Sequence, residues 1–270
     1  MNSGSVVTFP SATFESGDDF RRFRSENRDL FDERYRREQS LGTHDALVLT
    51  EGVCGPCLEV TQFSSSTRGG ELTGGSRIVP HWRQAQTCGC SFGLTSHERA
   101  LIHTALPHFG EPSWFRAGIL GPGDQVAAYV TRLLPDLAHW KRLARSMGRA
   151  LSLPVSQGSQ HMVLAADVLH HIIPLREALA AVADALSPGG MFAFSTPFDV
   201  EASETVSFLV NEGDVDSAKQ VFLAHPVHRL GWDLIPLLND CGFSSAVGHC
   251  YWSEELGYLG PYNMVFVAHR

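Results

Sequence analysis

The pattern of apolar and polar positions divides the chain into three stretches. Over residues 18–39, Phe20, Phe23, Leu30 and Phe31 recur at spacings near three and four, and Tyr35 follows. Between them Arg21, Arg22, Arg24, Arg28, Arg34, Arg36 and Arg37 are interleaved with Asp18, Asp19, Glu26, Asp29, Asp32, Glu33 and Glu38. This spacing predicts an amphipathic helix, a solvated arm packed on the body with its charges paired along the wet face. The alternating signs argue against an RNA-binding arm. Residues 50–100 lack a helical period and are rich in Gly, Ser and Thr, notably over 64–70 and 74–76. They predict loops around weak hairpins, in a segment too poor in apolar residues to fold by burial alone.

From Phe115 onward strands and helices alternate. Ala117 to Leu120 reads as a short apolar strand, followed by Gly121-Pro122-Gly123 and a helix through Val126, Ala127, Val130 and Leu133. A second strand is expected at 161–166, an alanine-rich helix at 174–186, a stop at Pro188-Gly189-Gly190 and a third strand at 191–195. A helix at 230–239 stops at Cys241-Gly242, and two β segments follow near 246–252 and 263–269. The alternation predicts an α/β fold: a mostly parallel sheet covered on both faces, with an antiparallel pair at the end.

Composition narrows the function classes. With 270 residues, 43% of them hydrophobic, and 16 Phe and 5 Trp to bury, disorder is excluded, and one large domain or two modest ones is expected. A net charge of −8 argues against a broad nucleic-acid or anionic-lipid surface. No run approaches the ~18 apolar residues of a membrane span. The first residues lack a basic region followed by an apolar run, so a cytoplasmic protein is expected.

Four of the six cysteines fall close together, Cys54, Cys57, Cys88 and Cys90. The two-residue gap in Cys54-Gly55-Pro56-Cys57 lets both thiolates reach one tetrahedral ion, and Cys88-Gly89-Cys90 can supply the other pair. Four thiolates saturate zinc, so the site is closed and structural, a staple for the polar segment. The second half is less regular, and His81 or His97 could replace one of its cysteines. Four small buried thiols are the plainer alternative. A redox pair is disfavoured because Cys54 does not follow a strand and open a helix. Cys241 and Cys250 read as core residues, not a bridge. Trp232, Tyr251, Trp252 and Tyr258 read as packing.

Strand, glycine turn and helix at Gly118-Ile119-Leu120-Gly121-Pro122-Gly123-Asp124 allow close backbone approach to a ligand. More specific is Leu153-Pro154-Val155-Ser156-Gln157-Gly158-Ser159-Gln160-His161, with Asp167-Val168-Leu169-His170-His171 and Leu186-Ser187-Pro188-Gly189-Gly190 after it. These stretches resemble the second half of a class I S-adenosylmethionine (SAM)-dependent methyltransferase. The tail, Leu230-Gly231-Trp232-Asp233-Leu234, Cys241-Gly242-Phe243, Tyr251-Trp252-Ser253 and Gly257-Tyr258-Leu259-Gly260, is similar to a bacterial subgroup with a cysteine cluster ahead of its Rossmann-like domain. Trp82-Arg83, Cys88 and Gly93-Leu94 through Arg99 stand at that subgroup's other marked positions, and the resemblance covers residues 40–270.

Together these readings give a helical arm at 1–45, a zinc-binding Cys-rich subdomain at 46–110 and, as the resemblance implies, a Rossmann-like methyltransferase domain at 111–270. The resemblance also implies methyl transfer from SAM to a small molecule in specialised metabolism. Gly121, Gly123 and Asp124 would lie near the methionine end of the cofactor, and Asp167 to His171 would border the reaction face. His171, His170 or His161 could do acid–base work, and His225 and His228 could belong to a lid. The pattern departs from the family at three acids. Residues 137–142 hold no carboxylate for the ribose hydroxyls, residues 148–151 none for the adenine, and Gln160-His161 replace a Phe-Asp pair. SAM is then held differently, or the site is degenerate. In that case the scaffold serves a SAM-independent reaction using histidine, or a non-catalytic binding role.

Overall fold

The computed structural model describes residues 7–73, 77–110, 113–121, 123–140, 144–145, 151–208 and 226–270. In chain order the main elements are strand β1 (Ser11–Phe14), helices α1 (Gly17–Glu26) and α2 (Arg28–Leu41), strands β2 (Leu47–Cys54), β3 (Glu59–Ser66) and β4 (Gln86–Cys88), and helix α3 (Ser96–Ala105). Strand β5 (Ala117–Leu120), helix α4 (Asp124–Leu133), strands β6 (Ala138–Trp140) and β7 (Gln160–Ala166), helix α5 (Leu175–Ala185) and strand β8 (Leu186–Ser195) follow. Helix α6 (Leu234–Asp240) and strands β9 (Ser245–Ser253) and β10 (Tyr258–His269) end the chain. These form two compact units. The first takes Met1–Ala12, Arg21–Pro107 and Cys250–Asn263; the second takes Thr13–Phe20, His108–His249 and Met264–Arg270.

A seven-stranded sheet runs in the order β1-β9-β10-β8-β7-β5-β6. Neighbours among β6, β5, β7 and β8 are parallel, and β10 is antiparallel to β8. Every position of β5 and all of β7 except His161 are buried. That is what a strand covered on both faces requires, and why these strands read as near-continuous apolar runs. Around Phe194 the core is a stack of rings: Phe192 at 4.7 Å and Phe266 at 5.2 Å, with Phe243 at 5.9 Å from Phe192. Helix α5 buries Leu175, Ala178, Leu179 and Val182, the i, i+3, i+4, i+7 face, and contacts β8.

Several boundaries differ from the sequence reading for identifiable reasons. The single arm helix is two, divided at Asn27, whose side-chain amide donates to the Phe23 carbonyl at 2.8 Å and whose backbone leaves the helical region. Pro188-Gly189-Gly190 does not precede the third strand but interrupts it. Gln160 faces Leu186 while Met162 faces Met191, so the extra residues loop out, with Gly189 at φ +74°. Helix α6 starts at Leu234, not at 230, because Leu230 bridges to Phe198 in extended pairing.

In the first unit one hairpin is stronger than expected, and a weak one, Glu71–Leu72 with Ile78–Val79, accompanies it. β2 and β3 pair antiparallel over eight residues, from Leu47 opposite Ser66 to Cys54 opposite Glu59, and β4 adds to β3. One face buries Val48, Phe63, Ser65, Gln86 and Cys88, and the other leaves Leu47, Leu49 and Val60 exposed. Helix α3, which sequence patterning did not single out, is buried at all ten positions. Its first turn is fixed by Glu98, whose Oε2 accepts from the Thr95 backbone N–H at 2.9 Å.

Candidate functional site

The turn after β2 and the segment at the end of β4 bring the four cysteines together. The ligand atoms of Cys54, Cys57, Cys88 and Cys90 all lie within 4.8 Å of one another. The Cys57 Sγ is 3.1 Å from that of Cys90, and the Cys88 and Cys90 sulfurs are adjacent. Hairpin register explains the convergence: Cys88 sits opposite Phe63 on β4, and Cys54 ends the strand paired with β3. The Cys54 thiol is pulled down to about 7, first by a hydrogen bond with Cys57 and against the cost of burial. No histidine or carboxylate joins this cluster among the described residues. His81 is exposed, and His97 Nδ1 is engaged with the Arg83 carbonyl and the Thr95 hydroxyl, both at 3.1 Å. Neither replaces a cysteine. Cys241 and Cys250 are separate buried thiols.

Two groups pack beneath this knuckle from one face of α3, four residues apart. A Cβ on Gly55 would lie 2.5 Å from His103 Nδ1, so only glycine fits there. His103 Nδ1 pairs with the Tyr258 hydroxyl at 3.1 Å and Nε2 with the Val7 carbonyl at 2.6 Å. Burial lowers its pKa. Arg99 is fully buried and lies over the Phe63 ring, 4.4 Å from its centroid.

In the second unit, the strand order reverses between β5 and β7, and the crevice beyond the carboxyl ends of such strands is where open α/β sheets bind ligands. Two turns meet there. Gly121, at φ +95°, ends β5, and a Cβ at that position would come 2.7 Å from the Val168 side chain. Any other residue would be strained and would push the turns apart. Gly123 has ordinary space around it and precedes Asp124, the first residue of α4. Asp167 has a positive φ of 48°, and its N–H donates to the Ser195 carbonyl at 3.0 Å.

His170 and His171 follow in a short 3₁₀ turn, their rings 4.0 Å apart. His170 is buried, with Nδ1 3.5 Å from the Thr196 hydroxyl and its carbonyl accepting from Val227 N at 2.8 Å. His171 Nδ1 is shielded from solvent and has no hydrogen-bond partner among the described residues. His228 bridges: Nε2 donates to the Ile172 carbonyl at 2.8 Å, so Nδ1 accepts from Ser207 Oγ at 2.8 Å. Burial lowers its pKa. Thr196 and Ser207 were not singled out from the sequence. The signal for Thr196 is its place directly after β8, at the same sheet edge as Asp167.

His161 does not join this group. It opens β7, six residues before Asp167, hence at the opposite end of the sheet by roughly 20 Å at the usual strand rise. Its ring stacks on Phe115 at 5.2 Å, and its Nδ1 accepts from Arg116 N at 2.9 Å. For the same reason the replacement of a Phe-Asp pair by Gln160-His161 does not alter the cleft. His225, Pro122, Lys141, Arg142 and residues 148–150 lie outside the described residues.

No family model matches the sequence, and no curated protein matches it. Solved structures do. The 1,6-didemethyltoxoflavin-N1-methyltransferase of Burkholderia thailandensis matches at TM-score 0.41 and 16% identity, over 64% of this chain and 77% of that one. A SAM-dependent methyltransferase from Mesorhizobium loti matches at 0.35 and 17%, over 63% and 97%. The CurJ carbon methyltransferase matches at 0.38 and 15%, over 64% of this chain and 52% of its own, so this chain spans about half its length. The fold itself is α/β, with a mostly parallel central sheet and an antiparallel β10 beside β8. No helix among the described residues is long and apolar enough to cross a membrane.

Proposed function

We propose that the protein is a cytoplasmic SAM-dependent methyltransferase of specialised metabolism that acts on a small molecule. The observation that supports this best is the close approach of Gly121 to Val168 at the switch point, three residues before His171, whose Nδ1 has no partner among the described residues. Gly121 and Gly123 give a bound cofactor close access to backbone, and Asp124 at the start of α4 and Asp167 just after β7 flank it. When bound, SAM supplies an electrophilic methyl group. The protein's part is to hold the acceptor in line with that methyl and to exclude water. His171 takes the acceptor's proton through Nδ1, and His170, tied to Thr196 and Val227, holds its neighbour's ring in place. The net negative charge favours a small acceptor over nucleic acid.

Calorimetry with SAM and with S-adenosylhomocysteine tests the reading. Saturable heat with both is expected, and no heat at millimolar ligand would sink it. With the acceptor found, His171→Ala should retain SAM binding and lower kcat by about 10²- to 10⁴-fold.

Cys54, Cys57, Cys88 and Cys90 hold one structural zinc. Four converging sulfurs without a carboxylate suit a soft, closed tetrahedral ion. Metal analysis should give one zinc per chain. A Cys88–Cys90 disulfide would instead give four titratable thiols and no metal.

A further inference from the structure

Among the described residues, Arg99 has no anion of its own. It is 0% exposed. Its Nη1 donates to the Leu94 carbonyl at 3.4 Å, and its Nη2 donates to Gln86 Oε1 at 3.1 Å and to the Gly257 carbonyl. The ring of Phe63 lies under the guanidinium and that of Tyr258 is 5.6 Å away. All of these partners are neutral, and among the described residues Nε has none. Ring faces and carbonyl dipoles offset part of the cost of burying a cation, yet a charge so enclosed remains expensive without a counter-charge.

Tyr258 is no counter-charge, because complete burial holds the pKa of its phenol well above the ordinary value. The framework instead ties Arg99 to the cysteine cluster. Phe63, beneath the guanidinium, is the cross-strand partner of Cys88. The Leu94 carbonyl that takes Nη1 also accepts the Cys88 backbone N–H at 3.1 Å.

A divalent ion held by four thiolates carries a net negative charge. We propose that Arg99 is the built-in counter-charge of a metal–thiolate centre, so that loading the metal and burying this arginine are one coupled event. This rests on the reading of the four cysteines as a metal site. Without the ion the guanidinium lacks the net negative metal–thiolate centre as its counter-charge, so the metal-free chain carries a penalty that the loaded chain does not.

The test is zinc affinity by chelator competition on the full chain, with melting of the metal-free and loaded forms. Arg99→Met should weaken zinc binding about tenfold or more, because a charge that favours the loaded centre is gone. Its metal-free form should melt no lower than the metal-free wild type. Arg99→Lys keeps the charge and should stay within about threefold. Gln86→Glu places a competing carboxylate at Nη2; it should stabilise the metal-free chain and weaken zinc binding, and it stands in if methionine at 99 prevents folding. Unchanged zinc affinity in Arg99→Met or Gln86→Glu, with zinc present in the wild type, would overturn the role of Arg99 alone. A wild-type chain that holds no metal and shows four titratable thiols would overturn both it and the metal reading.

Discussion

The two units solve the problem of folding by different means. The second buries an apolar sheet: β5 is enclosed throughout, and Phe192, Phe194, Phe243 and Phe266 stack in its core. The first has a small cluster, Val48, Val79, Trp82 and Leu259, and buries groups that a core normally rejects: Arg99, His103, Glu38, Gln86 and Ser65. Non-directional burial tolerates local change by degrees, whereas a polar core works only when every member has its partner. The first unit should therefore fail abruptly, and the second gradually.

The largest expected effect is on the cysteine knuckle. If the cluster holds the proposed zinc, removing it should remove on the order of 10 kcal/mol of metal-coupled folding free energy, and Cys57→Ser should remove part of that. Hydrogen exchange should then show α3 and β3 amides losing protection while those of β5 and β7 keep theirs. Simultaneous loss in both would break the contrast. Phe194→Ala comes next. It should cost about 3–5 kcal/mol, measured by denaturant midpoint, because it opens a cavity between the rings of Phe192 and Phe266.

Glu38 sharpens the comparison through pH. Its Oε1 accepts from Trp252 Nε1 at 2.6 Å and from Gly260 N at 2.8 Å, with Arg34 nearby. Burial nevertheless holds its pKa above the usual carboxylate range, outweighing those donors and Arg34. The folded chain thus binds the proton more tightly than the unfolded chain. This contribution is full below the ordinary value near pH ~4.3 and is lost as pH rises through the raised one. Melting against pH should show that fall, and Glu38→Gln should flatten it. Glu38→Ala, which orphans two buried donors, should cost about 1–3 kcal/mol for each. The smallest effects belong to surface pairs. Arg37→Ala removes the pair with Glu254 and Arg176→Ala the pair with Asp240, and each should change stability by less than about 1 kcal/mol in a thermal melt.

Much of the second unit was legible because its strands are covered on both faces and carry unbroken apolar runs. Strand 117–120 and the late strands lie where the pattern put them. The polar first unit was harder to read. The buried face of β3, Phe63 and Ser65, carries one ring and one hydroxyl, which no hydrophobic period reveals. Helix α3 was hidden because Arg99 and His103 occupy its buried face, where periodicity expects apolar residues.

By itself the sequence determined the α/β alternation, the glycine turn at Gly121 and four cysteines at ligand-like spacing, because all three depend on neighbours along the chain. Only the tertiary structure decided which groups meet. It separated His161 from His170 and His171 by the length of a strand, since a parallel strand carries its first and last residues to opposite edges of the sheet. It set the guanidinium of Arg99 beneath the cysteine knuckle, with only neutral partners, because α3, β3 and the turn at Gly257 converge there from distant parts of the chain.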